Sequence, residues 1–277
     1  MAWLGLMVCL TGCGKHDGAA PQATVPPATS ALQGYTLVQQ MRSHSTDLIG
    51  MDGQVVHSWR SNYSLAGGSY LLPDGDLLRS GLIVNSPFNN SCPGLTGVVE
   101  RFDWDGQLQW SYTFADASKS LHHDIFPMPN GNLLMLGVEV ISKEQQIAMG
   151  RDPARATKDL WLDFVMEVKP TGRNGGKVLW EWHLVDHLVQ EFDNTKSNYA
   201  VVSDHPELVD VNFIENHVTS SASSMRNLQA IGYVGQAPRE GSVLPDWSHL
   251  NSVCYQPHLD QVLLSAVQWI FRKFGAA

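Results

Sequence analysis

A strand–turn–strand unit that keeps returning along the chain limits what this sequence can fold into. Its first copy reads Leu48-Ile49-Gly50-Met51-Asp52-Gly53-Gln54-Val55-Val56-His57-Ser58-Trp59. The second is Arg101-Phe102-Asp103-Trp104-Asp105-Gly106-Gln107-Leu108-Gln109-Trp110, and the third joins Met166–Gly172 to Lys177–Trp182. Asp-Gly supplies the positive φ angles of a tight hairpin, and the alternating apolar residues beside it give each arm one face to bury. In the third copy the connection lengthens through Gly172–Gly176. A second hairpin with a Pro-containing turn alternates with the first, as Gly67–Leu78, His122–Leu134 and His249–Leu264. The unit is therefore two hairpins, or four strands. Asp52 and Asp105 lie 53 residues apart, and four short strands repeating on that scale predict the antiparallel blades of an all-β propeller. Trp59, Trp110 and Trp180 or Trp182 are expected between the sheets. No regular long amphipathic helices separate the strands, which argues against a parallel α/β fold.

Outside the repeat the pattern changes. Ile141 to Leu160 reads as an excursion with a helical turn or more, and Asp186 to Asn198 as a short helix with Leu188, Val189 and Phe192 on one side. Ser203 to Asp246 is a long mixed insertion of the kind that crosses a ligand-binding face. Residues 1–13 read as a lipoprotein-type signal peptide: Ala2–Leu10 is apolar but too short to span a bilayer. It ends in Leu10-Thr11-Gly12-Cys13, which resembles a bacterial lipobox, so Cys13 is the expected lipidation site. The anchor would tether the protein to a membrane at the periplasm or cell surface; without it the protein would be secreted. Residues 14–33, rich in Ala, Pro and Thr, read as a flexible linker. The partial propeller is then 34–266, with 267–277 as a divergent tail. A net charge of −9 with no basic cluster gives nucleic acid nothing to bind. The four cysteines contain no C-x-x-C pair. Cys92 and Cys254 remain open as a disulfide or as two thiols.

Candidate chemistry sits where the second hairpin begins. Asp246-Trp247-Ser248-His249-Leu250-Asn251-Ser252-Val253 puts a histidine and an asparagine two apart, a spacing that points both to one face of a strand. Leu121-His122-His123-Asp124-Ile125 holds the same place in an earlier copy. If the copies are blades around an axis, these polar groups converge. Adjacent strand residues face opposite ways, so one of His122 and His123 is expected in the site, with His123 preferred. Asp124 would orient an imidazole or cap a turn. His57 is expected on a blade rim, and His44, His205, His217 and His258 in solvent. His183 and His187 are four apart, a metal spacing on a helix, but Trp182-His183 ends a strand. No metal and no cofactor are expected.

Several stretches together resemble the bacterial arylsulfotransferases, also called aryl-sulfate sulfotransferases. They are Leu48–Trp59, Tyr70–Leu78, His122–Leu134, Lys177–His187 and Asp246–Leu264, with Asp-Trp-x-His-x-Asn the most specific. The resemblance implies a six-bladed propeller that moves a sulfuryl group from a phenolic sulfate ester to a phenol, through a sulfohistidine and without a nucleotide sulfate. It makes His249, Asn251 and one of His122 and His123 substrate-binding residues, with a phenolic sulfate donor and a phenol acceptor as partners. It also allows a homodimer. The family's modified histidine and its partner arginine lie in later blades, and the likeness fades after Leu264-Ser265. The expectation is therefore a C-terminally truncated copy, about half a ring, whose catalytic nucleophile is not assigned within this sequence. A non-catalytic propeller scaffold of the cell envelope is the alternative. Gly176–Trp180 also resembles the tryptophan-docking turn of quinone-dependent dehydrogenase propellers, but Lys-x-x-Trp occurs only once.

Overall fold

The computed structural model describes residues 33–88, 94–213, 226, 230, 245–266 and 272–275. Cys13, the signal segment, nearly all of the linker, Cys92 and His217 lie outside them. Four antiparallel sheets follow one another along the chain. The first holds β1 (Thr36–Gln39), β2 (Ser45–Ile49) and β3 (Val55–Arg60). The second holds β4 (Ser64–Leu71), β5 (Leu77–Leu82), β6 (Gly97–Phe102) and β7 (Leu108–Thr113). The third holds β8 (Lys119–Pro127), β9 (Leu133–Ile141), β10 (Leu160–Thr171) and β11 (Gly175–His183). After a short parallel pair, β12 (Leu188–Val189) and β13 (Val209–Asp210), the fourth holds β14 (Leu250–Gln256), β15 (Gln261–Ala266) and β16 (Arg272–Gly275). Two sheets thus have the full four strands and two have three, and among the described residues no ring closes. The architecture is all-β and propeller-like, as the repeats predict.

Alternation along the strands builds the core. Leu77 and Leu78 are neighbours in β5 and point to opposite faces. Leu77 joins Leu48, Trp59 and Phe102 between the first and second sheets, while Leu78 joins Val99, Trp110, Leu121, Ile125 and Phe164 between the second and third. Leu134, Val165, Trp182, Trp247 and Val253 fill the next interface. Each large apolar side chain buried there contributes roughly 1.5–3 kcal/mol. The repeat tryptophans also latch the sheets together. Trp59 Nε1 donates to the Asp103 carbonyl at 2.9 Å, and Trp110 Nε1 to the Gly175 carbonyl at 2.8 Å. In both cases a last-strand indole reaches the outer hairpin of the following sheet, so the outer-hairpin turn and the tryptophan of the repeat serve one joint.

The excursion after β9 is helix α1 (Lys143–Ala148), opened by a capping box in which Ser142 and Gln145 satisfy each other's backbone N–H. The stretch 186–198 is not the expected helix. Leu184–His187 makes one 3-10 turn, and β12 then runs extended beside β13. The reason is Gln190, fully buried, whose Oε1 accepts the Phe192 and Asp193 N–H groups at 2.7 Å each. That side chain stabilises a turn in place of helical bonding. Of the insertion after Ser203, residues 214–225, 227–229 and 231–244 lie outside the description. Within the expected tail, Arg272–Gly275 pairs with β15 as β16. Cys254 is an exposed free thiol, not half of a disulfide.

Candidate functional site

β4, β8 and β14 are the first strands of their sheets, and β8 packs against both of the others. Each carries a bulge. In β4 the pairing skips from Leu65 to Ser69, in β8 from Leu121 to Ile125, and in β14 from Leu250 to Ser252. The skipped residues of β8 are His122, His123 and Asp124. A bulge twists a strand and re-aims its side chains, and here the local conformation goes further. His123 has φ 48° and His249 φ 46°, both left-handed, a region that non-glycine residues occupy at a cost of roughly 1–2 kcal/mol. Strict alternation therefore fails, and His122 and His123 enter one network instead of facing apart.

The two rings meet through their Nδ1 atoms, 2.8 Å apart. His122 is buried, and its Nε2 lies 2.7 Å from Asp163 Oδ1 and 3.2 Å from the Gly137 carbonyl. The N–H aims more squarely at the carbonyl, so Asp163 Oδ1 holds the ring by charge and proximity more than by a straight hydrogen bond. The His123 ring sits 4.9 Å from that of His249, centroid to centroid. His123 Nε2 is buried with no hydrogen-bond partner. Burial, then the neighbouring His122 and His249, push the His123 pKa down to about 3, against a smaller upward pull from Asp246. His123 is thus a neutral imidazole. Room for its ring comes from Gly94, where a Cβ would lie 2.1 Å from His123 Cε1.

His249 Nδ1 lies 2.5 Å from Asp246 Oδ2, three residues earlier. The carboxylate fixes which nitrogen carries the proton and orients the ring. The segment bearing both is docked on β10. There β11 pairs only as far as Phe164, and the exposed edge before it is taken by 245–248: Trp161 N–H donates to the Pro245 carbonyl and Trp247 N–H to the Trp161 carbonyl. Asp163 completes this joint. Its N–H donates to Ser248 Oγ at 3.1 Å, while its Oδ2 accepts the Ser248 hydroxyl and, at 3.0 Å, the Leu250 N–H.

Of the sequence candidates, the fold brings His122, His123 and His249 together. Asn251 is exposed on the β14 bulge. Asp124 neither orients an imidazole nor caps a turn. Its carboxylate accepts the Ile125 N–H at 2.9 Å and the Val253 N–H at 3.1 Å, with the Tyr70 hydroxyl at 3.4 Å, which ties β8 to β14 and β4. Burial raises its pKa against those bonds. The orienting carboxylates are instead Asp246 and Asp163. Asp163 had one sequence signal, a lone acid inside the apolar run Leu160–Met166. His57 stacks on Trp104 at a blade rim. His183 pairs with Glu139 at 2.8 Å and His187 stacks on Trp182. No cluster of three metal-ligating side chains occurs among the described residues. A cavity of about 750 Å³ opens among the inner-hairpin turns of the second and third sheets, lined by Leu72, Met128 and Trp110, and contains none of these histidines.

A propeller-like sheet array with His122, His123 and His249 gathered beside the carboxylates of Asp163 and Asp246 defines the class of protein. Residues 77–272 match the family described as Arylsulfotransferase (ASST), and the chain belongs to that family. That match includes His122, His123, Asp163, Asp246 and His249. None of the curated proteins compared with the chain matches it.

Proposed function

We propose that this chain binds a phenolic sulfate ester beside His123 and His249 and serves transfer of its sulfuryl group to a phenol through a sulfohistidine. The observation that carries this reading is the approach of those two rings, with a His123 nitrogen buried and unpartnered. A sulfuryl group presents oxygens that gain negative charge as the ester bond breaks. Amide N–H donors held beside such oxygens stabilise them as an oxyanion hole does. Imidazole nitrogen is also a competent nucleophile, and phenolate is a good leaving group. Exposed Asn251 adds an amide donor on the neighbouring bulge.

The test is nitrophenolate release from 4-nitrophenyl sulfate by the purified protein, with and without phenol. Release that depends on phenol and disappears in His249→Ala supports the reading. No release from folded protein rejects it in favour of a non-catalytic envelope propeller.

A further inference from the structure

Asp163 belongs to none of the sequence motifs above, yet it touches both halves of the site. It sits in β10, fully buried. One oxygen faces His122 of β8, and the other holds Ser248 and Leu250 on either side of His249. We propose that Asp163 is the positioning residue of a proton relay, Asp163–His122–His123, which leaves His123 Nε2 unprotonated at rest and lets it take a proton from the acceptor phenol.

The argument follows the hydrogen bonds in order. His122 Nε2 faces two acceptors, the Asp163 carboxylate and the Gly137 carbonyl, so it carries a hydrogen. A neutral His122 then has a bare Nδ1. That atom is 2.8 Å from His123 Nδ1, so the proton between them resides on His123. A neutral His123 with hydrogen on Nδ1 has a lone pair on Nε2, the atom left without a protein partner. The tautomer of the outer ring is thus set through His122, by the Gly137 carbonyl that accepts its Nε2–H and the buried Asp163 carboxylate 2.7 Å from the same nitrogen.

This relay rests on the sulfuryl-transfer reading, and its steps balance. The acceptor phenol O–H bond breaks as its oxygen bonds to the sulfur, while the S–N bond of the sulfohistidine breaks and its electron pair returns to that imidazole nitrogen. The proton moves to His123 Nε2, and the Nδ1 proton of His123 moves to His122 Nδ1. His123 ends neutral, with its hydrogen now on Nε2. The charge appears on His122, 2.7 Å from the Asp163 carboxylate. Reversal in the next turnover protonates the departing donor phenolate, so the net transfer is one proton from acceptor phenol to donor phenolate. The relay explains how a ring that resists charging can still act as a base: it passes the charge inward. Around it stand His122 from β8, Asp163 from β10, and Asp246 and His249 from the segment before β14; β9 faces it with the Gly137 carbonyl.

Asp163→Asn tests it. The Leu250 N–H keeps the amide oxygen at the Oδ2 position, which turns the amide N–H toward His122 Nε2. His122 then accepts there and donates from Nδ1, and His123 becomes protonated on Nε2. Nitrogen NMR of the ¹⁵N-histidine protein should show His123 Nε2 changing from an unprotonated to a protonated nitrogen. Transfer to phenol should fall by about 10²-fold or more, with the donor KM changed less than about threefold. An acidic chlorophenol acceptor, already ionised, should recover most of the loss, which a merely structural role would not permit. An unchanged His123 spectrum in the variant overturns the relay. So does a wild-type spectrum with His122 Nε2 unprotonated, which needs no variant to fold. A relay-type spectrum that changes as expected in Asp163→Asn, in a protein that releases no nitrophenolate, retains the tautomer control by Asp163 and removes the sulfuryl-transfer reading alone.

Discussion

Gly94→Ala is a single methyl group aimed at the site. Gly94 has φ 77°, so any side chain there accepts a left-handed backbone, at roughly 1–2 kcal/mol. Its new Cβ would lie 2.1, 2.3 and 2.5 Å from three atoms of the His123 ring. Ordinary contact begins beyond about 3.4 Å, so the ring must retreat by more than about 1 Å. That movement breaks the 2.8 Å bond to His122, at a further cost of roughly 1 kcal/mol. The sum is about 2–3 kcal/mol, a fall in melting temperature on the order of 4–12 °C for a domain of this size. Displacing a reacting group by about 1 Å also costs on the order of 100-fold in rate. Differential scanning fluorimetry and the nitrophenyl sulfate assay read the two effects separately. A Gly94→Ala protein with wild-type melting and wild-type turnover would refute the placement of His123 argued here.

Two further outcomes follow from buried charge. His123 has a folded pKa of about 3, below the unfolded value of roughly 6.5. As pH falls, the unfolded chain takes the proton first. Stability is unaffected by His123 above about pH 6.5 and declines by about 1.4 kcal/mol per unit from there toward about pH 3. Urea titrations should show that slope in the wild type and a flatter one in His123→Gln; equal slopes between about pH 6.5 and 5 would contradict the burial argument. The buried pair Arg79–Glu100, 3.1 Å apart, gives the other outcome: Arg79→Ala strands a carboxylate and should cost about 3–5 kcal/mol, while Arg79→Met with Glu100→Leu should stay within about 1 kcal/mol of wild type. A double variant as unstable as the single one would show that the pair itself stabilises the fold.

The sheets were legible because their signals are local. Asp52-Gly53, Asp105-Gly106 and Asn130-Gly131 mark turns, and apolar alternation marks the arms. The histidines were legible for a similar reason, as polar residues at matched places in apolar strands. Asp163 was not, since its partner Ser248 is 85 residues away, and the docking of 245–248 on an exposed edge leaves no periodicity. The expected helix at 186–198 failed because its apolar spacing outvoted Gln190, a polar residue whose burial only the tertiary fold reveals. Asp124 was misjudged by proximity in sequence: it stands beside two imidazoles, but the bulge turns its carboxylate to the backbone of β14.

The bulge itself links the repeat to the chemistry. Aligned on their inner-hairpin turns, Gly67 of the second sheet corresponds to His123 of the third, and both are left-handed, at φ 85° and 48°. His249 takes the same conformation where the fourth sheet begins. A β-carbon on Gly67 would lie 2.2 Å from the His123 carbonyl oxygen, so the second sheet must present a bare backbone for the third to approach. At the corresponding place, where glycine would relieve the strain, the third sheet carries histidine, and the fourth sheet begins on a left-handed histidine as well. Residues held at such a cost persist where the strain has a use. Here it turns two rings off the pleat and toward each other, one sheet supplying room and two supplying imidazole, so a repeat that is nearly symmetric in its hairpins becomes asymmetric only at the site.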